Sequence, residues 1–171
     1  LSKRKEHVIC QYWTGSIEKV NNFLEEGGKL VMSPSRSVYM DLAYHSLPLK
    51  KVYDYNPLGP EIIEVISEKA TNMAKNGGIL GIEAPMWGEV YKNAKQMEWC
   101  TFPRILAVAE TAWSPQSKKN YERFSKSLPS ALKRLDSMGI NHATLNEANP
   151  SKQDTELAKR NPKHGWYAYF D

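Results

Sequence analysis

Gly78-Ile79-Leu80-Gly81-Ile82-Glu83-Ala84-Pro85-Met86-Trp87-Gly88-Glu89 carries an apolar strand into an aromatic plane followed by a carboxylate. The strand proper spans Ile79 to Ala84. A period of two along an extended chain puts Trp87 and Glu89 on one side, where one can stack beneath a pyranose while the other accepts hydrogen bonds from its hydroxyls. A strand that ends this way reads as the floor of a carbohydrate pocket.

The same alternation of strand and helix recurs on both sides. Upstream, Val8-Ile9-Cys10-Gln11-Tyr12-Trp13 is an apolar and aromatic strand ending at Thr14-Gly15-Ser16, and Ile17 to Glu26 has helical spacing through Ile17, Val20, Phe23 and Leu24. Gly27-Gly28 stops that helix. Lys29-Leu30-Val31-Met32-Ser33 forms the second strand, Pro34 opens a long connection through Pro48, Pro57 and Pro60, and Glu61 to Lys75 is a helix stopped by Asn76-Gly77-Gly78. Downstream, Trp99 to Trp113 is helical with Ile105, Leu106, Val108, Ala109 and Ala112 on its apolar side. Asn120 to Met138 repeats the pattern through Tyr121, Phe124, Leu128, Leu132 and Leu135. Beyond Gly139 the composition turns polar, and 146–163 holds little that builds a core.

Strands alternating with helices predict an α/β fold with a parallel sheet whose short strands are covered on both faces. Three strand-helix units are too few to close an eight-stranded barrel of about 250 residues, but they have the order and loop pattern of one segment of it. The predicted domains are a partial (β/α)8 TIM barrel over 1–138 and a polar C-terminal extension over 139–171. Trp13, Tyr39, Asp41, Trp87 and Glu89 fall at or after the carboxyl ends of the predicted strands, where such barrels carry their sites.

At 171 residues and 41% hydrophobic the chain suits one ordinary globular domain. It has no run of about 18 apolar residues, so no membrane span is expected, and Leu1-Ser2-Lys3-Arg4-Lys5-Glu6 lacks the apolar core of a signal peptide. A chain that begins with Leu reads as a piece of something larger, which leaves localisation open between cytoplasm and export. The net charge of +4 is modest, and Lys50-Lys51 and Lys118-Lys119 are the densest basic pairs, so no nucleic-acid surface is indicated. Cys10 and Cys100 are too few and too distant for a metal cluster or disulfide framework, and Cys10 is expected buried in its strand. His7, His45, His142 and His164 show no metal spacing, and no cofactor is indicated.

Four stretches together resemble a known family: Gln11-Tyr12-Trp13; Ser33-Pro34-Ser35 followed by Tyr39-Met40-Asp41-Leu42; Gly81 through Trp87-Gly88-Glu89; and Pro103-Arg104 through Ala109-Glu110-Thr111-Ala112-Trp113-Ser114. In order and spacing, over roughly residues 7 to 138, they resemble the last three barrel strands of family 20 glycoside hydrolases, the β-N-acetylhexosaminidases. The resemblance implies N-acetylhexosamine-terminated glycans as ligands. It implies that Trp13 walls the acetamido pocket, Trp87 lies against the sugar face, and the Tyr39 hydroxyl holds the acetamido carbonyl. Asp41 is then directed at the outer hydroxyls and Glu89 at O4 and O6. Tyr39 and Asp41, two apart, share a face if the local chain is extended. On residue type alone, a structural role, exposed or salt-bridged, is the simpler reading for Tyr39, Asp41 and Glu89, and core packing is the alternative for both tryptophans. Arg104 and Glu110 also match the pattern but fall at the last helix, where they are expected to pair with each other or with loop carbonyls.

Enzymes of that family are retaining glycosidases in which the substrate's acetamido oxygen replaces an enzyme nucleophile. Their general acid and its partner form an Asp-Glu pair, and no Asp-Glu dipeptide occurs in these 171 residues. The family's sugar-gripping arginine of the first strand and the tryptophan after the fifth are missing too. The chain is thus expected to supply a sugar-binding wall and to be inactive alone, with self-association through the uncovered faces of a partial barrel. The competing reading is a noncatalytic carbohydrate-binding or scaffold module, and a weaker one is a half-barrel whose loops serve a protein partner.

Overall fold

The computed structural model describes residues 7–160. Its chain divides into two units, the first drawing on residues up to Ser35 and on Tyr55–Glu83, the second on Arg36–Asp54 and residues from Ala84 onward.

The first unit is built on three parallel strands in the order β1 (Ile9–Tyr12), β2 (Lys29–Met32), β3 (Ile79–Ile82). Ile9 pairs with Lys29 and Tyr12 with Met32. Leu30 pairs with Ile79, but Val31 pairs with Gly81, so Leu80 is an extra residue that bulges β3. Helix α1 (Ile17–Glu25) starts where the Ser16 side chain accepts the Glu18 N–H, and it buries Val20 and Leu24. Parallel strands need such crossovers, and their β-branched and leucine side chains bury against the helix.

β2, the central strand, is the best covered of the three. Leu30 and Met32 are buried, whereas Ile9 on β1 is 61% exposed and Leu80 on β3 is half-exposed. The expectation of a buried Cys10 is therefore wrong: it is exposed on β1, a strand at the edge of the sheet. Cys100, in the second unit, is buried, and both thiols are free.

The expected helix over 61–75 is two pieces. α4 (Pro60–Ile63) and α5 (Glu68–Met73) are separated by residues 64–67, because Ser67 adopts an extended conformation and caps α5 by accepting the Ala70 N–H. The Ser67 N–H and hydroxyl also bond to Asn21 and Glu25 of α1, which ties the break to its neighbour. A wide turn (Ala74–Gly78) then leads into β3. Gly77 there has φ +92, which a side chain rarely adopts, and a Cβ at Gly78 would lie 2.6 Å from the Met73 carbonyl oxygen.

The second unit is helical. The long connection expected after Pro34 contains α2 (Ser35–Val38) and α3 (Leu49–Asp54) and supplies much of the core, including Met40, Leu47, Leu49 and Val52. Asn93 caps α6 (Ala94–Thr101), which the apolar pattern does not announce. Pro103, lacking an N–H, breaks the helix expected over 99–113, so α7 (Arg104–Trp113) begins afresh. Its buried stripe is Arg104, Ala107, Val108 and Thr111, while Ala109 and Ala112 are exposed. The stripe packs on α3. α8 (Tyr121–Ser137) forms as its periodicity predicts, capped by Asn120 and burying Phe124, Leu128 and Leu132. A Thr144–Glu147 capping box starts α9 (Leu145–Ala148), whose Ala148 is buried; α10 (Lys152–Arg160) buries nothing. The aromatic run Gly165 to Phe170 lies outside the described residues.

Candidate active-site residues

In the first unit Trp13 follows β1 directly. Its carbonyl accepts the Ser35 N–H at 2.9 Å, just as the Tyr12 carbonyl accepts the Ser33 N–H at 2.8 Å, so the ladder continues past the strand ends. The indole is 52% exposed. The core alternative for Trp13 does not describe it.

The second unit brings the other four residues into two adjoining segments. Tyr39 and Asp41 lie in a turn after α2, with the Leu42 N–H 3.4 Å from the Tyr39 carbonyl, so the extended geometry expected for them is not adopted. Trp87 precedes a 3₁₀ turn (Gly88–Val90) containing Glu89. Strand alternation therefore does not govern Trp87 and Glu89: β3 ends at Ile82, and Pro85 lies between. The two segments are joined by the Met40 N–H, which donates to the Pro85 carbonyl at 2.9 Å. Their rings meet as well, with the Tyr39 and Trp87 centroids 6.4 Å apart and tilted by 42°.

Burial separates the roles these residues can take. Trp87 is 49% exposed and Glu89 is exposed, whereas Tyr39 is buried and Asp41 is completely enclosed. Neither Asp41 carboxylate oxygen has a hydrogen-bond partner. Burial raises the Asp41 pKa above the ordinary aspartate value; its own amide and the Arg104 guanidinium work against that rise, and Glu89 adds to it. An enclosed carboxylate with spare acceptor capacity is poised to take hydroxyl donors from a ligand that reaches it.

Of the surrounding groups, Tyr91 carries no signal in the sequence pattern. The Tyr91 hydroxyl is buried with no hydrogen-bond partner, and burial pushes its pKa up. Burial likewise pushes the Cys100 thiol up to about 11, leaving it a neutral packing group. Arg104 is fully buried and bonds to loop carbonyls, as one of the two expectations for it held. It does not pair with Glu110, which takes Arg123 at 3.2 Å instead. The signal for Arg104 was available: an arginine within an apolar helix has to find acceptors when that face is buried. Among the described residues no group of three or more His, Cys, Asp or Glu is arranged to hold a metal, and no helix is long and apolar enough to cross a membrane.

Comparison with known proteins gives this arrangement its context. A β-hexosaminidase of Porphyromonas gingivalis is 37% identical over 95 residues, covering 56% of this chain and 11% of that protein. The N,N'-diacetylchitobiase of Vibrio harveyi is 24% identical over 168 residues, covering 86% and 19% respectively. The crystal structure of the family 20 exo-β-N-acetylglucosaminidase of Vibrio harveyi in complex with N-acetylglucosamine matches with a TM-score of 0.66 at 26% identity. It covers 80% of this chain and 22% of that one. A mutant Streptomyces plicatus β-hexosaminidase in complex with product shares the fold, with a TM-score of 0.68 at 23% identity over 82% of this chain and 30% of its own. The chain thus spans less than a third of each of these relatives. The model of the catalytic domain of glycosyl hydrolase family 20 matches residues 2–116 of the 171, and the chain belongs to that family of β-hexosaminidase glycoside hydrolases.

Proposed function

We propose that the chain is the C-terminal part of the catalytic barrel, about three βα units over 1–138 with a polar extension over 139–171. The parent protein would be a β-N-acetylhexosaminidase that removes terminal non-reducing N-acetylglucosamine or N-acetylgalactosamine. What carries this reading is the pairing of Tyr39 with a half-exposed Trp87 beside an enclosed, unpartnered Asp41 carboxylate. An aromatic plane suits the apolar C–H face of a pyranose and leaves its hydroxyl rim free for polar contacts.

In this reading Trp87 takes the sugar face and Glu89 the O4 and O6 hydroxyls, as an ionised acceptor in charge-assisted bonds. Asp41 takes an outer hydroxyl once the ring has displaced what closes over it. Trp13 walls the acetamido group, and the Tyr39 hydroxyl donates to its carbonyl oxygen. Holding that oxygen against the anomeric carbon is the positional part of substrate-assisted retention, in which the acetamido oxygen attacks as the glycosidic bond breaks. The general acid and its aspartate partner would come from residues that this chain lacks, since its sequence contains no Asp-Glu pair.

The test is hydrolysis of a chromogenic N-acetylglucosaminide by the full-length protein and by this chain, followed by NMR of the first-formed sugar. Release of the β-anomer by the full-length protein and no release by the chain is the expected result. An α-anomer first would overturn the retaining mechanism. No hydrolysis by the full-length protein, with N-acetylglucosamine still bound, would make it a noncatalytic sugar-binding module.

A further inference from the structure

The guanidinium of Arg104 reaches away from α7 to the turn that carries Asp41. Nη2 donates to the Met40 carbonyl at 2.6 Å and Nη1 to the Leu42 carbonyl at 2.7 Å. Met40 and Leu42 are the two chain neighbours of Asp41, so the fork grips this residue's backbone from both sides. Nη1 also reaches the Leu47 carbonyl at 3.1 Å, Nε donates to Cys100 at 3.0 Å, and the Tyr44 ring lies 4.2 Å from the guanidinium carbon. A planar, five-donor group can meet acceptors in these several directions at once; a lysine ammonium, a single point on a flexible stem, cannot.

Asp41 has the complementary character. It is completely buried, and neither oxygen has a hydrogen-bond partner. An uncompensated buried carboxylate is costly and would tend to turn toward a donor or to protonate. Arg104 supplies positive charge in its surroundings but spends its donors on the adjoining carbonyls, so it favours the charge without pairing with it. Glu89 opposes that charge, and Tyr44, Tyr91 and Cys100 are further titratable groups acting on this cluster. The Met40 N–H bond to Pro85 then passes the same constraint to the segment that carries Trp87.

We infer that Arg104 is a positioning residue for sugar recognition: its fork fixes the Met40–Leu42 turn so that the Asp41 carboxyl group is held unpaired and available to the hydroxyls of a terminal sugar ring. The inference rests on the reading of Asp41 as a sugar-binding residue. It assigns Arg104 a part in affinity as well as in folding.

The experiment measures KM and kcat of the full-length protein with a chromogenic N-acetylglucosaminide for wild type, Asp41→Asn, Arg104→Lys and the double variant, with circular dichroism as a control of folding. Each single variant should raise KM about tenfold, the size of one lost hydrogen bond to a charged group. kcat should change far less. The double variant should be little worse than either single one, because both act through one contact. If Asp41→Asn raises KM while a folded Arg104→Lys does not, or if their effects simply multiply, the inference is overturned. If Asp41→Asn leaves KM unchanged, it is the sugar-binding reading that falls. Should Arg104→Lys fail to fold, the Arg104 Nε–H resonance of the wild-type protein answers the same question. It should shift as Asp41 ionises and when N-acetylglucosamine is added, with both responses lost in Asp41→Asn; a resonance indifferent to both overturns the inference.

Discussion

The two units hold their candidate sugar-facing residues in different ways. In the first, Trp13 follows a strand whose backbone ladder continues through Ser33 and Ser35, so the main chain itself sets its position. In the second, Tyr39 and Asp41 sit in a turn with no ladder, and buried side chains do the holding. Arg104 grips the Met40, Leu42 and Leu47 carbonyls, and the Tyr44 hydroxyl lies 2.8 Å from the Phe102 carbonyl and 2.9 Å from that of Trp99. A ladder spreads its stability over many small bonds, whereas a fork concentrates it in one residue. The second arrangement should therefore be the more easily broken by a single substitution.

The largest effect is expected at that fork. Arg104→Met leaves several buried carbonyls without donors and should cost about 3–5 kcal/mol in chemical denaturation, the range for breaking a buried charged network. Leu24→Ala tests the first unit, where a completely buried side chain packs against the sheet; a loss of about 3 kcal/mol is expected from the cavity it leaves. A Leu24 cost well above that of Arg104 would reverse the contrast between the units.

Asp41→Asn should act in the opposite direction. Burial raises the Asp41 pKa, so the folded state binds its proton more tightly than the unfolded chain does, and stability falls as pH rises from the unfolded value through the folded one. The variant removes that loss. Its melting temperature should exceed that of wild type at pH 7, and the difference should shrink as the pH is lowered below the ordinary aspartate value. An Asn variant less stable than wild type at neutral pH would mean that Asp41 is well paired. The smallest effect is expected at Glu110, whose ion pair with Arg123 is largely exposed on the arginine side. Glu110→Gln should change stability by less than about 0.5 kcal/mol.

What could be read from the sequence follows the same division. β1, β2 and β3 lie within the apolar runs that predict them, and α1 and α8 follow their periodicity within a residue or two at each end. Regular elements repeat their signal over many residues, which is why they are legible. Breaks rest on single residues: Ser67 splits one expected helix by capping α5, and Pro103 splits another. Each is a single residue within apolar spacing that runs on through it. The exposure of Cys10 and Ile9 was not legible, because periodicity identifies a strand without saying what covers it. The candidate site was legible as residue types. Its geometry was not, since a turn at Asp41 and a 3₁₀ turn at Glu89 obey no period. Three of the Arg104 acceptors lie 57 to 64 residues away in sequence at Leu47, Leu42 and Met40, beyond any local pattern.

Turnover by Tyr39→Phe in the full-length protein tests the proposed sugar wall most directly, because it removes one hydroxyl and leaves the ring that faces Trp87. With a chromogenic N-acetylglucosaminide, kcat should fall roughly a hundredfold, as when one preorganised donor to the reacting group is lost, with the folded spectrum retained. An unchanged kcat in a folded variant would contradict the role assigned to Tyr39 and, with it, the wall built around Trp87.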